Sequence, residues 1–331
     1  MRAEDSSITV SSPARLHMGF LDMSGDLGRR FGGFGLTLSD IRTALTVSRS
    51  THLSASGLSS QRASACAHAL LQALGLTEAV HIEVMEAIPE HVGLGSGTQL
   101  ALAVSSAIAR LYKLDIELRV LAGLMQRGVR SGIGLGAFEQ GGFIVDGGQG
   151  EHTKVPPVIC RVPFPEAWRV LLIFDHAHQG LNGGSEVTAF KRLRPAHPST
   201  AAHLCRVLLM QVLPALVEAD FDRFSCGITT IQDEVGDYFS GSQGGRYSSP
   251  RVARVLGWLK RQGIQGVGQS SWGPTGFAIL KNAEHAEALL RELSAQWGEP
   301  LGFRICTARN RGAEIRLRKA RLSHPLNAYP V

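Results

Sequence analysis

Ile88-Pro89-Glu90-His91-Val92-Gly93-Leu94-Gly95-Ser96-Gly97-Thr98 is the stretch on which the reading of this chain turns. Behind it, Leu100, Val104, Ala107, Ile108 and Leu111 recur at helical spacing. The pattern predicts a glycine-rich loop that opens directly into a long amphipathic helix. Unpaired N–H groups and the positive end of the dipole make a helix start an anion site. Glycines let that backbone approach phosphate oxygens closely, and the hydroxyls of Ser96 and Thr98 can donate to phosphate or ligate Mg²⁺. There is no Lys where a Walker A loop needs one, and Thr98 stands where G-x-G-x-x-G has its third glycine. An ordinary Gly-rich turn capped by Ser or Thr is the competing reading.

Toward the N-terminus, Ile8 and Val10, Ala44 to Val47, and Ile82 and Val84 read as strands, and Ser64 to Leu74 as a helix ended by Gly75. Toward the C-terminus, a second glycine-rich stretch from Gly132 to Gly150 precedes a Pro-rich segment, Pro156 to Pro165. A domain boundary is expected there, giving residues 1–165 and 166–331. Beyond it, Val170 to Phe174, Val267, Phe277 to Leu280 and Phe303 to Cys306 read as strands. Ala201 to Ala219, Pro250 to Gln262 and Ala283 to Trp297 read as helices. That order suggests a small α+β sandwich of the split-βαβ type.

Composition narrows the function classes. At 331 residues the chain has room for roughly two domains of about 150 residues. With 44% hydrophobic and 19% charged residues it is globular, not disordered. A net charge of +6 suits an anionic small molecule as well as nucleic acid. The cysteines, Cys66, Cys160, Cys205, Cys226 and Cys306, form no C-x-x-C pair and fit free thiols in a reducing compartment. The N-terminal ten residues are polar, without a signal-peptide segment, and the longest apolar run, Val207 to Val217, is interrupted by Gln211 and Pro214. A cytoplasmic protein without a membrane partner is expected.

The central loop resembles the P-x-x-x-G-L-G-S-S motif of the GHMP small-molecule kinase superfamily. Pro89 and Gly93 to Ser96 match it, with Gly97 in place of the second Ser. Pro13-Ala14-Arg15-Leu16-His17 is similar to the superfamily's N-terminal motif, and Gly266 to Gly276 to its C-terminal glycine-rich motif. Three motifs in order, across residues 13 to 280, imply an α+β fold. Its parts are an N-terminal α/β sandwich with the phosphate loop and a C-terminal ferredoxin-like domain. Many of these kinases carry S-G-I-D, whose Asp is the base toward the substrate hydroxyl. Here Ser131-Gly132-Ile133-Gly134 occupies the corresponding stretch, and glycine cannot take a proton.

Further stretches resemble the β-ribofuranosylaminobenzene 5′-phosphate synthase family of methanopterin biosynthesis. They are Arg15 to Asp22, Gly32 to Leu36, Phe138 to Phe143 and Gly268 to Thr275. The resemblance implies that phosphoribosyl diphosphate reacts with 4-aminobenzoate or 4-hydroxybenzoate, releasing CO₂ and diphosphate and forming a C-riboside. It also implies a homodimer. The alternative is an ATP-dependent kinase of the homoserine, mevalonate or sugar type.

The chemistry assigns expected roles. Gly93, Leu94, Gly95, Ser96, Gly97 and Thr98 would hold the diphosphate, with Mg²⁺ at Ser96 and Thr98. Arg15, Arg29 and Arg30 would meet the 5′-phosphate and the carboxylate. Asp22 or Glu139 would stabilise an oxocarbenium-like centre. His17 is a further catalytic candidate, against an equal case for a structural histidine. Ser270, Ser271, Trp272 and Gly273 are expected to touch substrate, with Trp272 either stacking on an aromatic acid or packing on the core.

Three other features carry less. Asp175-His176-Ala177-His178 holds two imidazoles but lacks a third identifiable ligand, so a metal site is not expected. Gly180 to Glu186 reads equally as a binding loop or a surface turn. The run Arg316 to Arg321 alternates with apolar residues and has no interleaved aromatics, so a solvated strand edge or tail is expected, not a nucleic-acid surface.

Overall fold

The computed structural model describes residues 6–178, 180, 193, 195–271 and 273–319. Its larger sheet is built on two long antiparallel strands, β1 (Ser6–Asp22) and β2 (Arg29–Ser50). Alternation along β1 puts Ile8 and Val10 into the core, as the sequence predicts. The sheet continues through β3 (Ser54–Gly57) and β4 (Ala79–Glu86), with β5 (Phe143–Asp146), β6 (Gln149–Gly150) and β7 (Val158–Val162) beyond β2. The predicted helices appear as α1 (Ser60–Ala73) and α2 (Ser96–Leu111). Leu100, Val104 and Ile108 of α2 pack with Val47, Val84 and Leu70, so α2 is the central element of that half. Two short helices, α3 (Leu118–Leu124) and α4 (Ile133–Glu139), follow it.

The smaller sheet has β8 (Arg169–Asp175), β9 (Val267–Gln269), β10 (Gly276–Leu280) and β11 (Leu301–Cys306) in the order β11-β8-β10-β9. Its helices are α5 (Pro198–Val207), α6 (Leu213–Val217), α7 (Phe221–Gln243), α8 (Pro250–Arg261) and α9 (Ala283–Gln296). Leu171, Ile173, Val255, Leu259, Leu289 and Leu293 form the core between this sheet and helices α8 and α9. This is the split-βαβ arrangement expected from the order of elements. The boundary expected near residue 165 lies between β7 and β8. The chain nevertheless returns to the larger sheet at its end, where β12 (Glu314–Lys319) pairs antiparallel with β1. Arg316 and Arg318 thus lie on an edge strand.

One core joins the halves. Leu16 and Phe34 of the larger sheet, Leu172 and Phe277 of the smaller, and Phe224 and Ile228 of α7 belong to it. Truncating a fully buried Phe such as Phe224 to Ala would cost about 3–5 kcal/mol. From Pro198 to Val217 the chain is helical, with a π-helical stretch at Leu208–Val212 just before Pro214. Proline has no N–H to donate into the preceding turn, which accounts for the widened register. By length and composition this segment could cross a membrane, contrary to the sequence expectation. Its Leu204, Leu208, Val212 and Leu216, however, are buried in the shared core.

Candidate active site

Two register irregularities interrupt the β1–β2 pairing, between Pro13 and Arg15 and between His17 and Gly19. Such bulges re-aim side chains and recur beside active sites. Here they bracket Arg15 and His17. The backbone N–H of Arg15 donates to the Leu94 carbonyl at 3.2 Å, and its Nη1 to the Gly93 carbonyl at 2.7 Å. Ser270 Oγ donates to that same Gly93 oxygen at 2.8 Å and accepts from the His17 N–H at 3.0 Å. The Ser271 N–H donates to the His17 carbonyl at 3.0 Å. All three sequence motifs therefore meet in one knot of hydrogen bonds.

The loop's glycines are required by that knot. Gly93 has φ +82°, and a Cβ there would stand 2.5 Å from the Ser270 carbonyl oxygen. Gly95, at φ +83°, is the residue before α2, and no side chain caps the helix. A Cβ on Gly97 would lie 3.2 Å from Arg62 Nη2 and 3.4 Å from Arg127 Nη1. Two guanidinium groups thus sit over the first turn of α2, where the dipole already favours an anion.

Beside this turn opens a cleft of about 510 Å³. Arg15, Arg127 and Arg130 line it together with Thr98, Gly134 and Ser271, and no carboxylate is among its described lining residues. The buried Nε of Arg127 has no hydrogen-bond partner among the described residues. One wall is held by Asp146, whose Oδ2 accepts from Ser131 Oγ and the Gly132 N–H, both at 2.9 Å. Burial pushes the Asp146 carboxyl up, against hydrogen bonds from Gly148, Ser131, Gly132 and Gly33.

His17 is 3% exposed and lines both this cleft and a smaller cavity of about 30 Å³ shared with Phe20, Val235 and Phe239. Neither ring nitrogen has a partner among the described residues. Burial, and then the charges of Arg15 and Arg130, push the imidazole down to about 3, so it is neutral at physiological pH.

Families matching the chain are the GHMP kinases N terminal domain over residues 45–142 and the GHMP kinases C terminal domain over residues 212–299. A protein of Archaeoglobus fulgidus named beta-ribofuranosylphenol 5′-phosphate synthase is 33% identical over 323 residues, covering 93% of this chain and 99% of its own. The chain belongs to that synthase family. A protein of the same name from Methanothermobacter thermautotrophicus is 30% identical, covering 82% of this chain and 88% of its own. Among solved structures, mevalonate diphosphate decarboxylase from Staphylococcus aureus superposes with a TM-score of 0.66 at 14% identity, over 94% of this chain and 98% of that one. Homoserine kinase from Cytophaga hutchinsonii gives 0.62 at 16% identity, over 96% and 99%. These two establish the GHMP fold alone.

The residues expected at a site fall into two groups. Arg15, His17, Ser270, Ser271 and the loop from Gly93 to Thr98 come together, though of the loop only Thr98 lines the cleft itself. Gly273, at φ +66°, turns the third motif back on itself, its N–H donating to the Ser270 carbonyl. Trp272, and the loop segment from Leu181 to Glu186, lie outside the described residues. Arg29 is elsewhere, donating to the carbonyls of Gly147 and Gly148, and Arg30 lies over the Phe31 ring. Asp22 closes a turn, its Oδ1 accepting from the Ser24 and Gly25 N–H groups. Glu139 lines a different cavity with Phe138 and Leu121, and burial raises its carboxyl. Asp175 accepts from Ser249 Oγ and pairs with Arg251, and no metal-binding cluster of His, Cys, Asp or Glu occurs among the described residues.

Arg62, Arg127 and Arg130 are absent from the sequence expectations. Arg127-Gly128-Val129-Arg130-Ser131-Gly132, two arginines just ahead of the S-G-I-G stretch, is the signal that could have found two of them.

A protein usually holds Mg²⁺ through one or two carboxylates, with waters and substrate phosphates completing its octahedron. The hydroxyls expected to hold it are both neutral: Ser96 opens α2 outside the described cleft lining, and Thr98 lines a cleft that holds three arginines. These residues do not make a resident Mg²⁺ site.

Proposed function

We propose that this chain condenses phosphoribosyl diphosphate with 4-hydroxybenzoate, forming the C–C bond of a ribofuranosylphenol 5′-phosphate and releasing CO₂ and diphosphate. The observation that carries this reading is the sign of the cleft: three arginines and no carboxylate among its described lining residues, at the start of an uncapped helix. A substrate with a diphosphate and a 5′-phosphate needs those donors. The relatives' names speak of the phenol, which favours 4-hydroxybenzoate over 4-aminobenzoate.

The residues divide the work. The first turn of α2, with Arg62 and Arg127 above it, takes the departing diphosphate, whose charge grows as the C1′–O bond breaks. Arg15 and Arg130 face the same cleft and bind the remaining anionic groups. Mg²⁺ in this reading enters with the diphosphate as part of the substrate. Gly134 bears on the alternative kinase, because the place that supplies a base in many relatives has no side chain here. In the condensation the ring carbon attacks and loss of CO₂ restores aromaticity, so no ring proton has to be removed. The working form in this reading is a homodimer in the cytoplasm, and light scattering on the purified protein checks the dimer.

Purified protein with Mg²⁺, phosphoribosyl diphosphate and carboxyl-labelled 4-hydroxybenzoate is expected to release labelled CO₂ and diphosphate in equal amounts. Steady ADP formation from ATP with homoserine, mevalonate or a sugar, and no CO₂, would replace this reading with the kinase.

A further inference from the structure

A buried imidazole with neither nitrogen partnered among the described residues, as at His17, is uncommon, because burial strips the ring of water without replacing its hydrogen bonds. His17 is buried where an open basic cleft meets a small cavity lined by Phe20, Val235 and Phe239. Its ring lies 4.6 Å from that of Phe20, centroid to centroid. The charged groups around it have other tasks. Asp146 faces it across Gly33, where a Cβ would lie 3.0 Å from His17 Nε2 and 3.3 Å from Asp146 Oδ2. The Asp146 oxygens, however, already accept from Gly33, Gly148, Ser131 and Gly132. Arg246, on the small cavity, is paired with Asp233 and Asp237. Arg15 and Arg130 are cations and cannot accept a proton.

We propose that His17 takes the proton of the acceptor's para-hydroxyl as the ring bonds to the ribose, and returns it after CO₂ has left. The inference rests on the functional reading above. The ring carbon bearing the carboxylate gives an electron pair to C1′, and the C1′–O bond to diphosphate breaks. Electron density drawn from the para oxygen leaves a protonated dienone, whose proton passes to the free nitrogen of His17. The C–CO₂ bond then breaks, its electron pair restores the aromatic ring, and the phenol oxygen takes the proton back. No oxidant or reductant is needed. A weakly basic imidazole suits this step. It stays unprotonated among the arginines, and the dienone is a far stronger acid than the phenol from which it forms.

The test compares His17→Ala and His17→Asn with the wild type, using 4-hydroxybenzoate and 3,5-difluoro-4-hydroxybenzoate, whose phenol is already ionised at the assay pH. Circular dichroism and phosphoribosyl diphosphate affinity report folding and an intact anion site. With 4-hydroxybenzoate, kcat/KM for CO₂ release should fall by about 10²–10⁴-fold. With the ionised acceptor, which needs no base, the ratio of variant to wild type should lie near one. Added imidazole should restore part of the activity of His17→Ala. An equal loss with both acceptors and no rescue, or no loss at all, overturns the proposal. A wild type that releases no CO₂ from either acceptor sinks the functional reading itself, a distinguishable result.

Discussion

The methyl group of Thr98 fills the space that a side chain on Gly134 would enter: a Cβ there would stand 2.9 Å from Thr98 Cγ2. Gln99, one residue on, fixes the pair by donating from Nε2 to the Gly134 carbonyl at 2.7 Å while accepting from Ser12. The absence of a base at position 134 is therefore built into the packing of α2 against α4.

Gly134→Ala tests that contact. Alanine at this second helical position gains at most about 1 kcal/mol in propensity, but overpacking against Thr98 costs about 1–3 kcal/mol. Urea unfolding should show net destabilisation in the single variant and recovery when Thr98→Ser removes the methyl. Strictly additive effects of the two substitutions would show that the residues do not meet.

Gly95→Val should damage phosphoribosyl diphosphate binding more than folding. The residue has φ +83°, and its Cβ would press on Arg15 Nε at 3.2 Å. The left-handed conformation costs an L-residue about 1–2 kcal/mol, and a displaced Arg15 loses its hold on the cleft. Calorimetric titration beside thermal unfolding separates the two effects; full affinity in a folded variant would remove the loop from the binding site.

Arg127→Gln should raise KM for phosphoribosyl diphosphate by about 10–100-fold, the worth of a charge-assisted hydrogen bond of about 1.5–3 kcal/mol. Because the native Nε is buried without a partner among the described residues, melting temperature should hold or rise. An unchanged KM would place the diphosphate elsewhere.

The stability of the protein should fall in mild acid through His17. Its folded value of about 3 lies below the ordinary imidazole value of 6.5, so below pH 6.5 the unfolded chain binds a proton that the native one does not. Stability from this group is full above that pH and is lost toward pH 3, at about 1.4 kcal/mol per pH unit. Between pH 7.5 and 5, urea unfolding of the wild type should lose about 2 kcal/mol more than that of His17→Asn. Parallel losses would mean that the native imidazole titrates normally.

The long helix α7 was not legible in the sequence, although it carries Phe224, Ile228 and Ile231 into the shared core. Its apolar residues are sparse among Ser, Thr, Asp and Gly, and its start is marked only by Asp220, whose side chain accepts from the Arg223 N–H. Asp22 and Arg29 look in sequence like site residues because their charges suit the oxocarbenium-like centre and the anionic groups. Each instead satisfies backbone groups of a turn, a use that no residue type announces.

What the sequence determined by itself is local. Glycine spacing ahead of a 3.6-residue apolar period specified the loop and α2, and alternation of strands and helices specified the split-βαβ sheet, because backbone freedom and one-sided burial act over a few residues. Tertiary structure alone decided which charges share a space. Arg15, Arg62, Arg127 and Arg130 converge because bulges in β1, the end of α1's first turn and the wall held by Asp146 all meet the start of α2. The emptied partners of His17 follow from the same packing, since burial removes water from both ring nitrogens and β1 sets where they point.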